Sequence, residues 1–103
     1  MMNLNTITNE IKQWAIDRGL EMADPNKQML KLMEEMGELA EGLAKGKESE
    51  VQDAIGDMYV VLTILSMQLN YDIEGCILLA YNEIKDRKGK MVNGVFVKES
   101  DLK

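Results

Sequence analysis

With 103 residues, 46% of them apolar but only 5% aromatic, and nine Met, the sequence suits one small domain built from packed helices. Its net charge of −6 repels a polyanion, which excludes a general nucleic-acid binder. Having no His and a single Cys, Cys76, it lacks Ser-His and Cys-His nucleophiles, His-containing zinc sites and any internal disulfide, as fits a reducing cytoplasm.

Taken in chain order, residues 5 to 18 place Ile7, Ile11, Trp14 and Ala15 at helical spacing, with Asn5 or Thr6 as N-cap and Gly19 as the stop. Asp24-Pro25 is a strong helix start, and Gly46 ends a second helix over 25 to 45. Along it Met29, Leu32, Met33, Met36, Ala40 and Leu43 share one face, which predicts a buried stripe. Ser49 with Gln52 reads as a capping box opening a third helix that continues to about Leu69. That helix is apolar nearly all round and is expected at the centre of the fold. Its longest apolar run, Met58 to Met67, falls short of the ~20 residues that cross a bilayer, and no N-terminal signal pattern is present, so no membrane partner is expected.

Asp72 caps a fourth helix with Ile73, Ile77, Ala80 and Ile84 on one stripe, ending near Lys88-Gly89, and Cys76 reads as a small core hydrophobe. Beyond it, Asn93-Gly94 lies between apolar residues, which gives a small hairpin or a folded-back tail. The expected fold is therefore all-α. Four helices form a single domain over residues 1–103, with its core at about 5 to 90. A third helix this apolar predicts subunits that pair through it into a larger bundle.

The chemistry sits in two acidic pairs. Glu35 and Glu38 stand at i and i+3 beside the second helix's apolar face, with Lys31 one turn before Glu35. On the third helix Asp53 and Asp57 are i and i+4, on a face that runs into Val60, Val61 and Ile64. An antiparallel hairpin of these helices brings the pairs together. Four converging carboxylates make a hard, oxygen-rich cage suited to Mg²⁺ or Mn²⁺, since burying them without a cation is costly. Gly56, before Asp57, costs a helix about 1 kcal/mol and points to a close helix approach or a ligand. An EExxE stretch is also common on solvated helix faces, and the alternative is a non-catalytic helical adaptor or regulator.

Glu34-Glu35-Met36-Gly37-Glu38-Leu39, followed by Ile55-Gly56-Asp57 at the start of an apolar helix, resembles the MazG-like nucleotide pyrophosphohydrolases of the all-α NTP pyrophosphatase superfamily. The resemblance covers roughly residues 10 to 90, from the helix bearing Trp14 to the basic segment Asn82–Lys88. It departs from the family in one place: the second motif, ExxD, has Ala54 where Glu is expected, so Asp53, or Glu50 in reserve, would supply the fourth ligand.

The resemblance implies a cytoplasmic hydrolase that cleaves nucleoside triphosphates, NTP or dNTP, at the α–β bond to the monophosphate and pyrophosphate. Phosphoribosyl-ATP or another specialised pyrophosphate ester is the alternative substrate on the same fold. Implied with it are Mg²⁺, for which Mn²⁺ can substitute, on Glu35, Glu38, Asp53 and Asp57, and water activation by Glu34 or a ligating Glu. Lys31, Lys85, Arg87 and Lys88 are the candidates for phosphate contact, Asn82 for a base or sugar edge, and Trp14 for stacking on the base. Trp14 suits core packing as well, and Lys88 suits the negative end of its own helix. The family forms dimers or tetramers, so a homo-oligomer is implied.

Overall fold

The computed structural model describes residues 2–102. They form α1 (Leu4–Asp17), a 3₁₀ turn (Leu20–Met22), α2 (Pro25–Lys45), α3 (Glu48–Gln68), α4 (Ile73–Ile84), the strands β1 (Gly89–Val92) and β2 (Val95–Lys98), and a closing 3₁₀ turn (Glu99–Asp101). The chain divides into two compact units, Met1–Ile73 and Glu74–Lys103. Among the described residues, no helix is long and apolar enough to cross a membrane.

The first unit is built on the α2–α3 hairpin. Asp24 caps α2 by accepting from the Asn26 N–H at 2.9 Å, with Pro25 in the first helical position. At the other end Gly46 takes φ 65°, a left-handed conformation that costs a glycine little. From there the Lys47 N–H reaches back to the Gly42 carbonyl at 2.9 Å, and the chain enters α3 at once. The expected capping box at Ser49 is not used. The turn is so tight that Lys47 is already the N-cap and Ser49 lies inside the first turn, where Glu48 and Glu50 favour the positive end of the helix.

α1 likewise begins earlier than its sequence suggests. The cap is Asn3 rather than Asn5 or Thr6, and its side chain accepts from the Thr6 N–H at 2.9 Å. Thr8 ties this helix to α3: its hydroxyl donates to the Leu4 carbonyl at 2.8 Å and accepts from the Tyr59 hydroxyl at 2.6 Å.

Among the described residues the buried apolar ones are few: Ala15, Leu32, Ala54, Val61, Ile64 and Ile73. The largest departure from the sequence reading is on α2. Of the predicted stripe only Leu32 is buried; Met29, Met33, Met36, Ala40 and Leu43 are exposed. Toward α3 the helix turns Gln28, Leu32, Glu35, Leu39 and Gly42 instead. Two seven-residue rows are left uncovered, Met29–Met36–Leu43 on α2 and Ile55–Leu62 on α3 with its C-cap Leu69, each residue 38–64% exposed. A seven-residue apolar row is the spacing with which helices pair.

The two helical glycines separate cleanly. A Cβ on Gly42 would stand 3.1 Å from Val51 Cγ2, so Gly42 is where α2 and α3 approach closely. Gly56, expected to mark a close approach, would meet nothing within 4 Å. Because Gly56 has open space and helical backbone, Gly56→Ala is expected to stabilise the fold by about 1 kcal/mol, read as a rise in urea midpoint.

In the second unit α4 stops at Ile84, short of the predicted end at Lys88-Gly89. The chain then needs residues 85–88 to turn into β1. Ile73, which closes the first unit, is buried, but Ile77, Ala80 and Ile84 are exposed, and so is Cys76, against its reading as a core residue. Periodicity marks an apolar face without saying what covers it. The hairpin itself forms as the Asn-Gly signal suggests. Asn93 and Gly94 take φ 51° and 82°, and β1 and β2 pair antiparallel from Gly89–Lys98 to Val92–Val95.

Candidate metal centre

Three contacts set the register of the hairpin. Gly42 meets Val51, Glu35 and Glu38 meet Asp57, and Gln28 meets Val61, so α2 and α3 run antiparallel. Glu35 is on the inward side of α2 with Leu32, which takes it out of water; it is 5% exposed. Glu38 is exposed and Asp57 half-buried. One carboxylate oxygen from each of the three lies within 4.8 Å of the other two.

The electrostatics of the cluster are uneven. Lys31 Nζ is 3.5 Å from Glu34 Oε2 and 3.5 Å from Glu35 Oε1. The charge of Glu34, and after it that of Glu35, pushes the Lys31 pKa above its ordinary value. Glu35 Oε2 is buried and has no hydrogen-bond partner. A buried carboxylate oxygen left without a donor is costly, and a cation within reach of all three carboxylates removes that cost. Hard oxygen donors of this kind fit Mg²⁺ or Mn²⁺.

The other expected site residues fall into distinct places. Asp53 is exposed and outside the cluster; with Glu38, Glu41, Lys47 and Glu50 it lines an adjoining acidic recess of about 300 Å³. Lys47 offsets some of that charge, 3.7 Å from Glu50. Ala54, where the resemblance would put Glu, is 2% exposed and shares a side of α3 with Val61. Glu34 is solvent-facing, its side chain 66% exposed.

Trp14 is half-exposed and carries the Arg18 guanidinium 4.1 Å above its ring, so it is not simply a core residue. In the second unit Asn82 is exposed on α4, and Lys85, Arg87 and Lys88 are exposed in the turn after it; Arg87 Nη2 is 3.8 Å from Glu83 Oε1.

Sequence reasoning missed Gln28 and Gln68. Both line an apolar groove of about 390 Å³ in the first unit, together with Trp14, Leu20, Val60 and Ile64. Lys31, which contacts Glu35, lines it too. The signal for Gln28 was present: it is seven and fourteen residues before Glu35 and Gly42, on the side of α2 that faces inward.

The fold and this cluster define a mostly helical chain with a three-carboxylate site able to hold a divalent cation. The chain is 48% identical over 73 residues to a protein of Haemophilus phage HP1 (strain HP1c1) described as "Uncharacterized 18.2 kDa protein in rep-hol intergenic region". The match covers 70% of this chain and 45% of the phage protein, so the chain spans less than half the length of the relative it matches. No family model matches the chain, and no solved structure does.

Proposed function

We propose that this protein is a Mg²⁺-dependent nucleoside triphosphate pyrophosphohydrolase of MazG-like type. The observation that carries the reading is the buried, unpartnered Glu35 Oε2 beside Glu38 and Asp57. In the reaction a water oxygen joins one phosphorus of the α–β anhydride, the bridging P–O bond breaks, and pyrophosphate and the monophosphate separate. Glu35, Glu38 and Asp57 would hold Mg²⁺, with Asp53 or Glu50 reaching it from the acidic recess. When bound there the ion supplies charge neutralisation for the phosphates and makes water a better nucleophile.

The chain's own groups have separable tasks. Glu34 is solvent-facing next to the cluster and suits taking the water's proton. Lys31, 3.5 Å from Glu35, meets the phosphates' negative charge. Trp14 offers a ring for the base. The two uncovered seven-residue rows favour self-association through α2 and α3, into a dimer or a tetramer.

The deciding experiment incubates each NTP and dNTP with the protein and Mg²⁺ and scores pyrophosphate. Release from at least one triphosphate, abolished by EDTA, is expected. No turnover of any nucleotide, with no Mg²⁺-dependent rise in melting temperature, would leave a helical adaptor as the better account.

A further inference from the structure

We propose that Lys31 couples the two halves of the ligand: its ammonium weakens the hold of Glu35 on a divalent cation until a phosphate-type anion lies against both positive charges. That a cation binds at Glu35 rests on the reading above. The coupling itself needs no hydrolysis, and Lys31 alone carries it.

The two oxygens of Glu35 are placed differently. Oε1 faces Lys31 Nζ at 3.5 Å, while Oε2 is buried with no hydrogen-bond partner. Oε2 is therefore the oxygen left for a cation, with Glu38 and Asp57 beside it. A cation there shares one carboxylate with the Lys31 ammonium. Two positive charges so placed repel, and with Glu35 only 5% exposed, water screens them less than at an open surface.

The ammonium is held in this position from two sides. Glu34 Oε2 is also 3.5 Å from Lys31 Nζ. The charges of Glu34 and then Glu35 push the Lys31 pKa up, so at neutral pH it stays charged. The Lys31 side chain lines the groove as well, and Lys27, one turn earlier on α2, lines it too. Like charges one turn apart on a helix repel, so an anion is favoured next to this pair. A phosphate oxygen suits a hard divalent cation and an ammonium at once, and neutralises both. By reciprocity the cation then favours the anion as much as the anion favours the cation.

The test titrates the full-length protein with Mn²⁺, followed by electron paramagnetic resonance against a protein-free control, with and without inorganic phosphate. Without phosphate, Lys31→Met is expected to bind Mn²⁺ at least about fivefold more tightly than wild type, because the repulsion is gone. Lys31→Arg keeps the charge and should bind Mn²⁺ as wild type does. Phosphate should tighten Mn²⁺ binding to wild type at least about threefold more than to Lys31→Met. A side chain with a merely structural role would weaken Mn²⁺ binding when removed, the opposite result. One measurement needs no variant: acetylation of Lys31 in the wild type, read by peptide mass spectrometry, should rise on adding Mg²⁺ and fall again with phosphate. Lys31→Met binding Mn²⁺ no more tightly than wild type, labelling of Lys31 that ignores Mg²⁺, or no Mn²⁺ binding by any of these proteins would overturn the proposal. The expected coupling in a protein that releases no pyrophosphate from any triphosphate would uphold it and remove only the hydrolase reading.

Discussion

Glu35→Met is expected to raise the melting temperature of the metal-free protein while abolishing its stabilisation by Mg²⁺. In the wild type one oxygen of this buried carboxylate has Lys31 at 3.5 Å and the other has no partner. Met has a similar length and no charge, so the substitution removes the burial penalty without opening a large cavity. The gain should be about 1–3 kcal/mol. For a domain this small that is several degrees, since each kcal/mol shifts the midpoint by about 4–8 °C. Wild-type protein should instead gain about 2.7 kcal/mol at a Mg²⁺ concentration a hundred times the dissociation constant.

Glu38→Gln separates the two effects. Glu38 is exposed, so melting in EDTA should not change, while Mg²⁺-dependent pyrophosphate release falls below detection. Scanning calorimetry with and without Mg²⁺, on both variants, checks these outcomes together. A Glu35→Met protein that melts lower in EDTA would show that Glu35 is a structural carboxylate satisfied by its surroundings, and the metal centre would lose its main support.

The second large effect concerns the apolar rows. Leu62→Asp is expected to convert an associated wild type into monomers at micromolar concentration, measured by sedimentation equilibrium against the 11.7 kDa chain mass. Leu62 is the middle residue of Ile55–Leu62–Leu69, and Met36 is the middle residue of Met29–Met36–Leu43. Burying one such side chain contributes about 1.5–3 kcal/mol, and a charge in its place adds a desolvation cost. Weakening of about a hundredfold or more follows from about 3 kcal/mol per contact. With so few buried apolar residues among those described, the dissociated variant should also unfold at lower urea. Wild-type protein that sediments at the chain mass at every concentration would end this idea.

Some of the fold was legible from single residues. Asp24-Pro25 and Gly46 bound α2 where the sequence puts its ends, because capping and left-handed turns are local chemistry. Asn93-Gly94 gives the hairpin for the same reason. Local signals also misled where two of them competed. Ser49 is a good N-cap by type, but the tight turn at Gly46 starts α3 at Lys47 before Ser49 can serve. Asn3 rather than Asn5 caps α1 by the same kind of contest.

What the sequence by itself determined is therefore local: four helices, a hairpin, and carboxylates at helical spacings that can meet across one turn. Only the tertiary structure decided which side of each helix faces inward. Apolar spacing told us that Met29, Met36 and Leu43 share a face of α2, yet packing turned Gln28, Glu35 and Gly42 toward α3, because the close approach at Gly42 fixes the rotation of the helix. That rotation buries Glu35 beside Asp57, leaves Asp53 outside the cluster, and forms the Gln28–Gln68 groove. Spacing along a chain constrains neighbours one turn apart; contacts between helices depend on which side chains let two backbones come close.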